Sequence, residues 1–546
     1  MGNVLQEIGD LEAAIKALKQ ALEIMPDYIE AHNNMGVTLY GLGDLSSALT
    51  HYKKTLTLDP IFKLAWDNIL FPMRIMASKS PVSEDPIYSL KDKLGTSQFI
   101  DEQLGLLEYK IHLGTPAAEA YFNEAIDVIS QGSKLSIANP DSGTGEHKSS
   151  ITLSQDIIAL QHFGRSGTGL LHSLLDGHSE LSTLPSIYFS EYFDSTTWER
   201  ICVGGWEEIV DRFIATYPVL FDASSSNPVP TMGDKTILYL GRKEGLCNVG
   251  DNGDEVLQLD KTLFRSELRS LMKHCNSLDA LTFFKLVHCA YEKTLGGSGE
   301  KSKIFYHIHN PGTYARLNFV RSATNARWIL MVREPIQSCE SWVKDDFIVR
   351  NYKEISVKFI AYLNQVDDVV FTKHSSIGVR LEDLKEYPEK TMVALCDWMG
   401  IDEEDSLYKM TMQGKKWWGD PSSPDFDKKG MSPFGKSSIR RKVGTIFSDN
   451  DQFVLRTLFY PFSVRFGYAE ENPKQFEKDL VAIRPMLDQM FDFEKKLAID
   501  TGVEVEAFMK SGSYQFLRCG LIDRWKVLQE FKTYPNMITP LEIHRV

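Results

Sequence analysis

The start of the chain repeats itself at a fixed offset of 34 residues, from Gly2 to Gly36. The matching residues are Gly2, Gly9-Asp10, Ala14 and Pro26 in the first segment and Gly36, Gly43-Asp44, Ala48 and Pro60 in the second. In a helix-turn-helix repeat of this period, small residues let two helices approach, an aromatic residue such as Tyr40 or Tyr52 fills the gap, and proline closes the unit. The offset therefore predicts an all-α stack of helix pairs.

The repeated segment resembles the tetratricopeptide repeat family, and Trp66 stands where a third repeat would place its tryptophan. The first repeat begins midway through its first helix, so we expect residues 1–75 to hold an incomplete repeat followed by further ones. Either the chain begins inside a longer array, or Met1 is not the natural start. Stacked repeats need capping neighbours. Residues 76–129 are predicted to form this helical cap, with helices over 101–113 and 116–129.

The composition indicates a folded globular protein of several domains. A chain of 546 residues is too long for one hydrophobic core, and its 43% hydrophobic and 25% charged residues are ordinary values. The formal net charge of −14 argues against a surface that binds nucleic acid or anionic membrane as a whole. A local basic cluster can still bind a small anion, so partners are expected at a site.

The seven cysteines are widely spaced and form no Cys-x-x-Cys pair, which argues against a disulfide framework and against a structural zinc site. No run of about eighteen apolar residues predicts a membrane span, and the N-terminus does not read as a signal peptide. We therefore expect a cytoplasmic protein, or a lumenal one if an upstream targeting segment is missing.

The pattern changes after residues 130–150, which contain too few apolar side chains to offset the entropy of ordering and are interpreted as a linker. Short β-branched runs then alternate with helical stretches, which predicts a parallel sheet with crossover helices over residues 151–470. The predicted strands are 157–160, 303–307, 328–332 and 378–381. Residues 471–546 are predicted to be a helical extension without assigned chemistry.

A glycine-rich turn follows the first of these strands. The stretch "QHFGRSGTGLL", from Gln161 to Leu171, reads as strand, glycine turn and helix, but it lacks the lysine and the spacing of a nucleoside triphosphatase loop. Backbone N–H groups at a helix N-terminus suit an anion, and Ser166 and Thr168 add hydroxyls. Arg165 adds a fixed charge that can grip two oxygens. Glycine turns also serve tight strand-to-helix packing, so the loop alone leaves both interpretations open.

A second stretch, "ARWILMVREPIQSCESW", places Arg333 at the end of a buried strand and Ser341 eight residues later. In an open parallel sheet, ligands bind beyond the carboxyl ends of the strands. Two such anion sites together predict a ligand with two separated anionic groups.

At these two stretches the sequence is similar to the sulfotransferases that use 3′-phosphoadenosine 5′-phosphosulfate, in which an "RSGT" loop and an "R-x-P-x-x-x-x-x-S" stretch hold the two phosphate ends. The segments "GDKTILYL", "VRLEDL" and "RRKVG" resemble further motifs of these enzymes. The resemblance implies a P-loop type parallel sheet flanked by helices. It implies these nucleotide-binding residues: Arg165, Ser166, Gly167, Thr168 and Gly169 at the 5′ end, and Arg333, Ser341, Arg441, Lys442 and Gly444 at the 3′ end. Departures are Gly169, Leu381 and Ile237, which stand where many members have a hydroxyl residue, a tyrosine and a proline.

The resemblance implies sulfuryl transfer, an in-line displacement in which positioning and electrostatics dominate. Arg165 would stabilise the departing phosphate, and no metal is required. Two residues compete as the base that takes the acceptor proton: His309 in "YHIHNP" and Glu191 in "SEYFD". Lys235 in "GDKT" would assist by its charge at the substrate. A structural histidine, a metal-binding face of His307 and His309, a solvated carboxylate and an ordinary surface lysine are the alternatives.

Two functions follow from these patterns. The first is a sulfotransferase acting on a hydroxyl of a glycan, peptide or small alcohol, with the repeats recruiting the acceptor or a protein partner. The second is a non-catalytic repeat scaffold with a degenerate nucleotide-binding domain. The aromatic stretch 415–426, "KKWWGDPSSPDF", could cover an acceptor, although paired tryptophans more often anchor a core.

Overall fold

The computed structural model describes residues 2–7, 9–79, 86–132, 135–141, 153–185, 187–225, 227–228, 237–238, 240–309, 311–421, 423, 426, 430–435 and 443–543. The chain forms two compact units, each built from segments that are distant in sequence. The helical unit comprises Met1–Gly132, Glu334–Val369 and Lys442–Met537, and the sheet unit comprises Ser133–Arg333, Val370–Arg441 and Ile538–Val546.

The described helices are named here in chain order. The first group is α1 (Gly2–Glu7), α2 (Leu11–Ile24), α3 (Ile29–Leu42), α4 (Leu45–Leu58), α5 (Lys63–Lys79), α6 (Pro86–Leu94), α7 (Gln98–His112) and α8 (Ala118–Gln131). The second group is α9 (Thr168–Leu175), α10 (Ser195–Cys202), α11 (Gly205–Thr216), α12 (Leu240–Lys243), α13 (Lys261–Met272), α14 (Ala280–Thr294) and α15 (Thr313–Ser322). The third group is α16 (Pro335–Ile348), α17 (Tyr352–Gln365), α18 (Val370–Lys373), α19 (Leu381–Glu386) and α20 (Pro388–Met399). The last group is α21 (Asp449–Leu458), α22 (Tyr460–Arg465), α23 (Pro473–Ile483), α24 (Asp492–Thr501), α25 (Val505–Lys510) and α26 (Gly512–Phe531).

The described strands are β1 (Ile137–Ala138), β2 (Asp156–His162), β3 (Leu181–Ser182), β4 (Asn227–Pro228), β5 (Ile237–Leu238), β6 (Ser277–Leu278), β7 (Lys303–His307), β8 (Arg327–Val332), β9 (Ser376–Arg380), β10 (Thr411–Met412) and β11 (Lys415–Lys416). The main sheet has the order β3-β7-β2-β8-β9, and its strand pairs are parallel. The three remaining sheets are antiparallel pairs of two-residue strands.

The repeat of 34 residues has a direct structural cause in the helical unit. Asp10 and Asp44 cap α2 and α4, each accepting a hydrogen bond from the backbone N–H three residues later. Gly36 lies against Tyr52 so closely that a Cβ at this position would be 2.5 Å from the ring, which requires glycine here. His32 donates from Nε2 to the carbonyl of Pro26 at 2.8 Å. In the next repeat Trp66 donates from Nε1 to the carbonyl of Pro60 at the same distance.

Helix α26 packs against α3, α5 and α17 inside the helical unit. Its Phe516 meets Phe71 of α5 edge to face with ring centroids 5.1 Å apart, and Gly512 lies directly against Tyr40 of α3. Arg524 is fully buried and donates to Asp367 at 3.0 Å and to the Gly114 carbonyl at 2.7 Å. The C-terminal helices are therefore part of the unit that contains the repeats.

The sheet unit has a hydrophobic core on one face of β2 and β8, with the α9 side chains Leu170, Leu171, Leu174 and Leu175 packed into it. The outer edge of β9 is covered by the chain's last described segment. Gly378 donates to the Thr539 carbonyl at 2.7 Å, and Leu541 donates to the Gly378 carbonyl at 2.8 Å. This pairing satisfies backbone groups that an exposed edge strand would leave open.

The predicted all-α repeats followed by an α/β region with a parallel sheet are confirmed. The four predicted strands are present with small boundary shifts, and Leu381 begins α19 instead of ending β9. Within the predicted linker 130–150, α8 extends to Gln131 and β1 pairs with β6, while residues 142–150 lie outside the described part. All seven cysteines are free thiols.

Candidate functional site

The glycine loop lies between β2, the central strand of the sheet, and α9. Gly164 and Gly167 have φ values of 56° and 85°, and Gly167 is the N-cap of α9 without a side-chain cap. Ser166 is buried, and its Oγ accepts the N–H of Phe163 at 3.1 Å, which closes the loop on itself. The N–H groups of Leu170 and Leu171 donate to the Gly167 carbonyl at 3.1 and 3.2 Å. The N–H groups of Thr168 and Gly169, in the first turn of α9, precede the carbonyls that a helix uses as acceptors, and they suit an anion.

Arg165 and Thr168 are half-buried in this loop. A permanently charged guanidinium at an uncapped helix N-terminus gives the loop a positive field, which adds to the helix dipole. An anion with several oxygens is therefore the ligand that this loop can stabilise.

Two hydrophobic side chains, Leu381 and Trp417, pack against glycines of the loop. A Cβ on Gly167 would lie 2.6 Å from Cδ1 of Leu381, so Leu381 packs directly against the loop. Trp417 is buried and lies 3.7 Å from the Cβ position of Gly169; its Nε1 donates to the Glu244 carbonyl at 3.0 Å. Trp417 is therefore a core anchor at the loop, in agreement with the structural alternative for the aromatic stretch.

His309 lies at the same edge of the sheet as the loop. It follows β7, which pairs in parallel with β2, and Ile308 donates to the Leu160 carbonyl at 2.8 Å. The His309 ring centroid is 5.2 Å from that of His162, the last residue of β2. Burial, with smaller contributions from His162 and Lys243, lowers the pKa of His309 to about 3, so its imidazole is neutral at pH 7.

Glu191, the other candidate base, lies in a 3₁₀ helix over Ile187–Phe193. Its Oε1 accepts the N–H of Gly312, three residues after His309, at 3.0 Å. Its charge also acts on the nearby phenols, raising the pKa of Tyr306 and of Tyr217, where burial is the main cause. Both candidate bases are thus held near the carboxyl end of β7.

Arg333 directly follows β8, on the other side of β2, and is 4% exposed. The register pairs His162 with Met331, so β8 ends beside the start of the glycine loop. The sheet unit therefore brings Arg333, the loop and His309 to one edge of the sheet. Ser341 lies on α16 in the helical unit, and its pairing with Arg333 stays a prediction.

Of the remaining predicted site residues, the structure describes only Gly444. Lys235, Arg440, Arg441 and Lys442 lie outside the described residues. Gly444 is described with a φ of 99°, and its N–H donates to Glu340 of α16 at 3.1 Å. Its contact with a nucleotide stays a prediction.

Two residues near the loop were missed in the sequence. His162 donates from Nδ1 to the Gly164 carbonyl at 2.9 Å, which fixes the backbone of the loop. Lys243, exposed at the end of α12, is close enough to His309 to lower its pKa. The position of His162 at the end of the strand could have indicated its role, whereas Lys243 has no sequence signal.

His172 and His307 form a separate buried pair, with their Nδ1 atoms 3.2 Å apart. Burial lowers the pKa of His172 to about 4 and that of His307 well below its usual value. Among the described residues, no three histidine, cysteine or acidic side chains are arranged to hold a metal ion.

Comparison with known families identifies the N-terminal repeats. Residues 2–43 match the family described as TPR repeat, and residues 29–62 match the family described as tetratricopeptide repeat. No curated protein matches this chain. The predicted tetratricopeptide repeats are therefore confirmed, and repeats of this class indicate protein–protein interaction. In the part of the chain that the structure describes, no helix is long and apolar enough to cross a membrane.

Proposed function

We propose that the sheet unit is a sulfotransferase of P-loop type, which moves a sulfuryl group from 3′-phosphoadenosine 5′-phosphosulfate to an acceptor hydroxyl of a glycan or protein. The observation that carries this proposal is the glycine loop at the end of the central strand, with Arg165 inside it and Arg333 and His309 on either side. Cationic side chains and a proton acceptor at one sheet edge are what sulfuryl transfer needs.

In this proposal, the loop N–H groups and Arg165 bind the oxygens of the 5′-phosphosulfate. As the acceptor oxygen forms its bond to sulfur, the bond from sulfur to the 5′-phosphate oxygen breaks, and the leaving phosphate takes the electron pair. Loss of one such stabilising donor costs about 3 kcal/mol, or roughly a hundredfold in rate. No step of this scheme uses a metal.

His309 is the first candidate for the base. A neutral imidazole can accept a proton, but a pKa of about 3 makes His309 a weak proton acceptor before the ligand binds. A bound anion next to the ring favours the charged imidazolium and raises this pKa. Glu191 is the second candidate, since carboxylates commonly act as general bases, but one of its oxygens already accepts the Gly312 N–H.

The repeats supply the second part of the proposal, recruitment of the acceptor or of a protein partner. The alternative is a non-catalytic scaffold, and it is favoured by the fact that the repeats are the part of the chain that matches known families. The sheet unit would then keep a nucleotide without transferring its sulfate.

Labelled sulfate transfer to a panel of glycans, tyrosine peptides and small alcohols tests the enzyme. We expect transfer to one acceptor class, with His309→Gln or Glu191→Gln losing about a hundredfold of the rate while still binding nucleotide. Arg212→Gln, on the exposed surface of α11, is the control and keeps full activity. Nucleotide binding without transfer to any acceptor supports the scaffold instead.

A further inference from the structure

Glu340 of α16 is a buried carboxylate whose hydrogen bonds converge on one loop of the helical unit. Its Oε2 accepts the N–H of Gly444 at 3.1 Å, and its Oε1 accepts the hydroxyl of Thr445 at 3.0 Å. The same Oε1 accepts the N–H groups of Ile446 and Phe447. Glu340 is 5% exposed, so these donors replace the water that a carboxylate would otherwise require.

The helix that carries Glu340 does not depend on these contacts for its own start. α16 begins at Pro335, a favourable first residue, and Glu334 caps it by accepting the N–H of Gln337 at 2.7 Å. The four bonds of Glu340 run instead to residues more than a hundred positions later in the chain. Their effect is on the loop Gly444–Phe447.

The other side of this loop is fixed by α21. Gln452 donates from Nε2 to the Phe447 carbonyl at 3.0 Å, and the same nitrogen lies 3.3 Å from the Cβ position of Gly444. Ser448 and Asp451 form a capping box at the start of α21. Glu340 therefore accepts three of the loop's N–H groups, and Gln452 donates to its last carbonyl, so the loop is tied to α16 on one side and to α21 on the other.

Only Val443 separates this loop from the basic "RRK" of the stretch that the resemblance to sulfotransferases assigns to the 3′-phosphate, and Ser341 directly follows Glu340. We infer that Glu340 is a positioning residue for 3′-phosphate recognition: it ties the loop Gly444–Phe447 to the helix that carries Ser341. The inference rests on the proposed function for the identity of the anion.

The negative charge of Glu340 makes the direction of the expected change in phosphate affinity informative. A carboxylate near a phosphate repels it, so by charge alone the isosteric Glu340→Gln would strengthen phosphate binding. The amide, however, must turn its NH₂ group toward backbone N–H donors in either orientation, which breaks part of the set that holds the loop. A positioning role therefore predicts weaker 3′-phosphate recognition from a substitution that removes a negative charge.

The test compares the full-length protein and its Glu340→Gln variant for binding of adenosine 3′,5′-bisphosphate and of adenosine 5′-phosphate. We expect the preference for the bisphosphate to fall about tenfold, together with faster amide hydrogen exchange at Gly444, Ile446 and Phe447. Glu494→Gln is the matched control, since Glu494 is also buried and accepts from Arg518 and from the Phe491 N–H in the same unit. It is expected to lower stability without changing the preference.

An unchanged or increased preference in Glu340→Gln overturns the positioning role, even if exchange in the loop accelerates. A parent protein that binds the bisphosphate no better than the monophosphate overturns the proposed function, and the inference with it. The two failures are distinguished because the first appears only in the variant and the second is already present in the parent.

Discussion

Gly167 is the residue on which the geometry of the glycine loop depends most directly. Its φ of 85° is unfavourable for any residue with a side chain, and a Cβ there would lie only 2.6 Å from Cδ1 of Leu381. Glycine is therefore required at position 167 for two reasons: the backbone is left-handed, and Leu381 packs closely against it.

Gly167→Ala is expected to destabilise the protein by about 2 kcal/mol and to abolish nucleotide binding, because strain adds to the contact with Leu381. Gly414→Ala is the control, with a φ of 70° and nothing within 4 Å of its Cβ position. It should cost about 1 kcal/mol and leave binding intact. Chemical denaturation of both variants measures the difference, and equal costs would show that the Leu381 contact is unimportant.

Buried neutral histidines make the stability of the sheet unit depend on pH. Burial lowers the pKa of His288 to about 3, below its ordinary value of about 6.5, so the folded state resists a proton that the unfolded state accepts. Stability is therefore fully present above pH 6.5 and falls as the pH drops from 6.5 toward 3.

His288→Gln removes this titration while keeping a partner for the Ser182 hydroxyl, which lies 2.9 Å from His288 Nδ1. We expect the slope of unfolding free energy between pH 6 and 4 to decrease by about 1.4 kcal/mol per pH unit. Denaturation at a series of pH values measures it, and His274→Gln on the exposed surface is the control. An unchanged slope in His288→Gln would mean that His288 is protonated in the folded state.

At the level of helices and strands, the two repeats have glycines at equivalent positions, but these glycines have different neighbours. Gly9 and Gly43 occupy equivalent positions with φ values of 82° and 81°. A Cβ on Gly9 would meet nothing within 4 Å, whereas one on Gly43 would lie 1.8 Å from the Lys510 carbonyl oxygen, between α25 and α26. The second repeat is therefore specialised for packing against the C-terminal helices.

Gly9→Ala is expected to cost about 1 kcal/mol from backbone strain alone, and Gly43→Ala about 2 kcal/mol more, because the Lys510 backbone must move. Urea denaturation of the two variants measures the difference directly. If both variants lose the same stability, α25 does not dock firmly on the repeat.

The sequence predicted the elements that have local signals. The period of the repeats, the caps at Asp10 and Asp44 and the four buried strands follow from residue spacing and short-range chemistry. Strand β3 has two residues and no pattern of its own. The contacts of Leu381 and Trp417 with the glycine loop, and the effect of Lys243 on His309, depend on chain segments far apart in sequence, which spacing does not reveal.

At the level of the whole molecule, the order of segments along the chain differs from their grouping in space. The repeats belong to the same unit as Glu334–Val369 and Lys442–Met537, so this unit is assembled from three separate stretches of the chain. Phe71 and Tyr40 of the repeats are covered by α26, and a partner cannot use that face without displacing α26.

Deletion of residues 2–132 should therefore expose the aromatic face of α26, since Phe516 is 4% exposed in the complete chain. We expect the shortened protein to bind a hydrophobic dye and to lose solubility relative to the full-length protein. A shortened protein that stays monomeric, dye-free and as stable as the parent would show that the repeats fold as a separate domain.

We propose that the glycine loop holds the phosphate end of a phosphoadenosine nucleotide, and calorimetric titration with adenosine 3′,5′-bisphosphate measures this binding. We predict one saturable site per chain, with affinity lowered at least about tenfold in Arg165→Ala and in Arg333→Ala and unchanged in Arg212→Ala. The absence of binding by the parent protein, or equal binding by all three variants, would contradict the claim.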